Sequence, residues 1–109
     1  MNEAIHNYLE NFGEETRERF HSLYELIYES TSKDLEEKLW AKLPSFYAGN
    51  NFIRLIPFKD HINIEAKAVT PYEDKLSGYK ITPKGMLQIF HNQELPSELL
   101  KAIFKESLR

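Results

Sequence analysis

No cysteine occurs in this 109-residue chain, which removes disulfides, thiolate metal sites and a cysteine nucleophile from its chemistry. Reducing cytosol is therefore open to it. Glycine and proline are sparse, four and five residues, and fall between periodic segments rather than in a linker, repeat or low-complexity tract. No apolar run approaches the ~20 residues a membrane-crossing helix needs. The opening MNEAIHNYLENF is acidic and has no basic stretch leading into an apolar one. These absences lead us to expect one cytoplasmic domain over residues 1–109 with no membrane partner. Signatures of catalysis are missing too: there is no zincin-type histidine pair, glycine-rich phosphate loop or nucleophile elbow. His6, His21, His61 and His91 lie at spacings that match no common metal motif. The expectation is a protein that is not an enzyme.

What the chain does contain is enough to fold. Hydrophobic residues make up 41% and charged residues 28%, the balance of an ordinary globular domain rather than a disordered one. Seven Phe, six Tyr and one Trp supply large rings for a small core. The net charge of −3 is unevenly spread. Residues 1–32 hold seven carboxylates against Arg17 and Arg19, a net of −5, whereas the remainder holds ten carboxylates against twelve basic side chains, a net of +2. An acidic first third favours cations or basic partners and argues against nucleic acid.

Ile5, Tyr8, Leu9 and Phe12 recur at helical spacing before Gly13, and Phe20, Leu23, Tyr24 and Ile27 predict a longer helix from about Glu14 to about Tyr28. Alternation from Glu36 to Leu43 predicts a strand closed by Pro44. Ala48-Gly49-Asn50-Asn51 reads as a turn, Phe52 to Phe58 as a second strand, and His61 to Glu65 as a third, joined to it by Lys59-Asp60. Residues 68–76 read as a single helical turn and Met86 to Phe90 as the last strand. Pro96 sits at the first position of a closing helix whose apolar face is Leu99, Leu100, Ile103, Phe104 and Leu108. The order is that of an α+β fold on an antiparallel sheet.

Several blocks in this frame are similar to a known family. Leu43-Pro44-Ser45-Phe46-Tyr47, Phe58-Lys59-Asp60-His61-Ile62-Asn63-Ile64, Leu76-Ser77-Gly78-Tyr79-Lys80 and Lys84-Gly85-Met86-Leu87-Gln88-Ile89 resemble successive blocks of the YdhG-like domain family. Leu95-Pro96 with Leu99, Leu100 and Ile103 resembles its closing helix. The likeness covers roughly the last two thirds of the chain, and the order of the blocks is more specific than any one of them. It implies a frataxin-like two-layer sandwich, with N- and C-terminal helices packed on one face of the antiparallel sheet. It also implies the activity of an intracellular iron chaperone, which binds iron weakly and delivers it to an acceptor protein.

Two sets of residues are candidates for binding. Carboxylate oxygens, with imidazole, suit iron, and transient delivery needs exposed, exchangeable ligands. Glu18, Glu25 and Glu29 lie close to one line on the second helix with His21 within a turn, and Asp34, Glu36 and Glu37 continue the acidity. The plainer reading is a solvated helix face interrupted by Arg17, Arg19, Lys33 and Lys38. The alternative set is Lys59, His61, Lys80 and Lys84 beside Trp40, Phe46, Tyr47 and Tyr79, an apolar pocket with cationic donors for a small anionic metabolite or a phosphate. Its plainer reading is a hairpin turn, solvent-facing lysines and core aromatics. A third possibility is a protein-interaction domain that docks a partner on exposed aromatic residues of its sheet.

Overall fold

A computed structural model describes residues 1–109. Asn2 caps the first helix, α1 (Glu3–Leu9), its side chain accepting from the Ile5 N–H. Gly13 separates it from α2 (Glu14–Ser30), which buries Phe20, Leu23, Leu26 and Ile27 along one stripe. The strands are β1 (Glu36–Trp40), β2 (Leu43–Ala48), β3 (Asn51–Pro57), β4 (His61–Ala66), β5 (Lys80–Ile81) and β6 (Leu87–Phe90). A 3₁₀ turn covers Thr70–Lys75, and α3 (Ser97–Leu108) closes the chain. All six strands join one antiparallel sheet in the order β1-β2-β3-β4-β6-β5.

Register divides the sheet into two unlike faces. Phe46 pairs with Ile53 and Ile53 with Ala66, while Leu55 pairs with Ile64 and Ile64 with Leu87. These side chains share one face and are buried. The helices α2 and α3 pack against β3, β4 and each other, so Phe20, Phe104 and Leu100 join Phe46 and Leu55 in one core. Burying a side chain of this size stabilises by about 1.5–3 kcal/mol. The opposite, open face, on which α2 and α3 do not pack, carries Lys38, Ser45, Arg54 and Glu65 across one row of the register, Ser45 and Arg54 being buried beneath their neighbours.

Three expectations need correction. The alternation from Glu36 to Leu43 is not one strand but a hairpin, turned at Ala41 and Lys42, whose φ angles are +50° and +66°. Both central residues of a two-residue hairpin turn need such angles, normally supplied by Asn-Gly. Pro44 therefore does not close a strand but lies inside β2, opposite Leu39. Its missing N–H is tolerated because the β2–β3 ladder extends only from Ser45 to Ala48 on the β2 side. The two-residue β5 was not expected. Pro96 forms the cap of α3 rather than its first residue, a one-residue difference at an end where assignments shift by that much. No helix is long and apolar enough to cross a membrane.

Candidate functional site

The acidic ridge expected on the second helix is divided by the fold. Glu18 and His21 line a groove of about 350 Å³ between α1 and α2, together with His6, Glu10, Glu14 and Arg17. Three carboxylates and two imidazoles thus line one opening, although no three of the chain's His, Asp and Glu side chains stand close enough together to grip a metal ion. Glu25 is exposed farther along α2, and Asp34 is exposed ahead of β1. The Glu29 carboxylate lies 3.9 Å from the Lys101 ammonium, on the side of α2 that meets α3.

Glu37 has a different task. Its carboxylate accepts from the Tyr24 hydroxyl at 2.6 Å, from the Tyr28 hydroxyl and from the Asn2 backbone N–H at 2.7 Å, while its carbonyl accepts from the Asn2 side chain at 2.8 Å. One side chain thereby ties the start of α1 and the middle of α2 to the edge strand β1. Burial alone would raise the Glu37 carboxyl, but the hydrogen bonds from the two tyrosines and Asn2 outweigh it and hold the group below the ordinary carboxylate range. Burial, followed by the bond to Glu37, pushes Tyr24 up to about 12 and Tyr28 up as well.

The alternative set is scattered over several places. Phe46 is wholly buried and cannot wall a pocket. Trp40 is 52% exposed on the hairpin. The Tyr79 hydroxyl donates to the Glu94 carbonyl at 2.6 Å, and Lys80 is exposed on the edge strand β5. Lys59 and His61 flank the β3–β4 turn. There His61 stacks on Phe58 with ring centroids 4.4 Å apart, and its Nδ1–H donates to the Asp60 carboxylate at 2.6 Å, which holds the Asp60 carboxyl below its usual range. Next to this turn, Thr16 at the start of α2 has one hydroxyl proton for the Phe58 and Lys59 carbonyls, so His91 Nε2–H must donate to Thr16 Oγ1 at 2.9 Å. His91 Nδ1 is then a buried acceptor without a partner. Lys84 lies elsewhere, in a cleft with Lys67.

The sequence reading passed over Arg54, the centre of the open face. The residue is 4% exposed, and its guanidinium lies 4.2 Å from the ring centroids of both Trp40 and Phe52. The guanidinium nitrogens donate to Ser45 Oγ at 2.8 Å, to a Glu65 carboxylate oxygen at 2.8 Å and to the Tyr47 hydroxyl at 2.9 Å. Lys38 adds a second cation over the Tyr47 ring at 4.6 Å. Such a plate of alternating rings and cations is rigid, because the planar fork of arginine is fixed by three bonds and by contact with both rings. The available signal was one arginine flanked by Phe52, Ile53, Leu55 and Ile56, on the side opposite Ile53 and Leu55. His6 and Glu10 were passed over because they belong to α1 and its cap and come beside Glu18 and His21 only in the fold, whereas Glu14, one turn before Glu18 on α2, was in reach of the same helical spacing. No family model, curated protein or solved structure matches this chain.

Proposed function

We propose that this protein is a non-enzymatic carrier that holds iron weakly in the groove between α1 and α2 and passes it to an acceptor protein. The observation that carries the proposal is the groove itself, where His6 and His21 stand with Glu10, Glu14 and Glu18 around one solvent-open space. Oxygen and imidazole donors suit Fe(II), and side chains that are not preassembled leave most of its coordination to water. That arrangement favours loading and release over storage. Arg17 in the same lining lowers affinity further. The likeness of the sheet and closing-helix blocks to YdhG-like domains, and through them to a frataxin-like sandwich, supports iron as the cation. The acceptor docks on the open face of the sheet. Trp40 and Phe58 are 52% and 42% exposed, and, with the buried Arg54 and its partner Glu65 neutralising one another, the exposed Lys38 and Lys80 outnumber Glu36, which suits an acidic protein surface.

An anaerobic titration with Fe(II), followed by amide NMR, tests the site. Selective broadening of residues 6–21, removed by a variant carrying His21→Ala and Glu18→Gln, is the expected result. Unchanged intensities in the groove, or broadening centred elsewhere, would sink the proposal.

A further inference from the structure

On the open side of the sheet, the β2–β3 turn, the end of β4 and the loop before β6 enclose a cleft of about 350 Å³. Lys67 and Lys84 reach it from segments seventeen positions apart, and none of the chain's ion pairs involves either lysine. Lys67 Nζ donates to Asn51 Oδ1 at 2.8 Å, which steadies it and leaves two of its three protons for another acceptor. Glu65, the one carboxylate in the lining, is engaged by Arg54 at 2.8 Å. The cleft is therefore cationic in a chain whose net charge is −3.

The remaining lining gives the cleft a shape. Gly85 adopts φ +86°, which side-chain-bearing residues rarely adopt, and a Cβ there would stand 3.5 Å from Thr70 Oγ1. Its bareness leaves the Thr70 hydroxyl accessible from the cleft. Phe52 forms the apolar wall, backed on one side by the Arg54 guanidinium.

We propose that this cleft binds the phosphate group of a small phosphorylated molecule, with Lys67 and Lys84 as charged donors, the Thr70 hydroxyl as a third donor and Phe52 against the organic part. Two unpaired ammonium groups match the charge of about −1.5 to −2 that a phosphate monoester carries at neutral pH, whereas a monocarboxylate calls for only one. The site shares no residue with the α1–α2 groove and stands or falls separately from it.

The test is an amide NMR titration of the full chain with inorganic phosphate and with phenyl phosphate, ionic strength being held constant with NaCl. Saturable shifts centred on Phe52, Lys67, Thr70, Lys84 and Gly85 are expected. Lys67→Gln and Lys84→Gln, both at exposed positions, should each weaken binding about tenfold, the effect of losing one charge-assisted hydrogen bond. Shifts that fail to saturate, that centre on another surface or that persist at equal affinity in both variants overturn the proposal. Equal affinity for the two probes overturns the role of Phe52.

Discussion

Glu37 sits at the point where three parts of the chain meet, and its environment sets a signed dependence of stability on pH. The folded state holds its carboxyl below the ordinary range, so the stability it contributes is present above the unfolded value, about 4.3, and is lost as pH falls through the folded value. Tyr24 behaves oppositely: its hydroxyl, raised to about 12, contributes fully below the unfolded value of about 10 and fails as pH rises through the folded one. The clasp is therefore intact across the neutral range. Glu37→Gln should cost on the order of 1–2 kcal/mol at pH 7, discounted for the partial exposure of the group, and less near pH 3. Urea unfolding of both proteins at the two pH values checks this; an unchanged difference would show that the carboxylate charge is not the source. In the sequence Glu37 looked like one more member of an acidic ridge. Nothing local distinguishes it, because its partners Asn2, Tyr24 and Tyr28 arrive only when α1 and α2 pack beside β1.

Among the elements, the β1–β2 hairpin shows how a pattern of correct period can hide a turn. Leu39, Trp40, Ala41, Lys42 and Leu43 keep an alternating look straight through the reversal, and Ala-Lys carries none of the usual turn residues. Left-handed backbone at two residues with side chains, φ +50° and +66°, costs roughly 1–2 kcal/mol for each. Pairing to β3 and the packing of Phe46 and Trp40 on opposite faces outweigh that cost. Replacing Ala41-Lys42 by Asn-Gly should raise stability by about 1 kcal/mol. A higher urea midpoint with an unchanged slope is the expected reading; no gain would mean that the turn is not of this type in solution. By contrast, α2, α3 and β4 were plain in the sequence. Each buries an uninterrupted stripe at its own period, Phe20 to Ile27, Leu100 to Phe104, and Ile62 to Ala66, so local pattern and tertiary packing agree.

Across the whole molecule, the acidic first third becomes α1 and α2, while the cations of the remainder divide between the open sheet with its adjoining cleft, at Lys38, Lys67, Lys80 and Lys84, and the end of α3, where Lys105 and Arg109 lie beside Lys33. Charge asymmetry was legible from the sequence, but the partition of individual carboxylates was not, because it depends on which side of α2 meets α1, β1 or α3. The consequence is a conflict between stability and binding in the α1–α2 groove. Glu10 forms the C-terminal cap of α1, the negative end of the helix, and Glu18 follows Glu14 by one turn. By these two rules the placements oppose the fold, with Arg17 in the same lining offsetting part of the repulsion. Glu10→Gln and Glu18→Gln should therefore each raise stability by ~0.3–0.5 kcal/mol at low salt, with the gain disappearing at 1 M NaCl, where the screening length falls to about 3 Å. The same substitutions should abolish Fe(II)-induced broadening of the groove. Thermal unfolding at the two salt concentrations, measured beside the Fe(II) titration, links the two properties. Stabilised variants that no longer respond to iron would identify these carboxylates as kept for binding at the expense of stability. Variants that lose stability at low salt would show that the groove is held together by its carboxylates, and that the cation is not what they face.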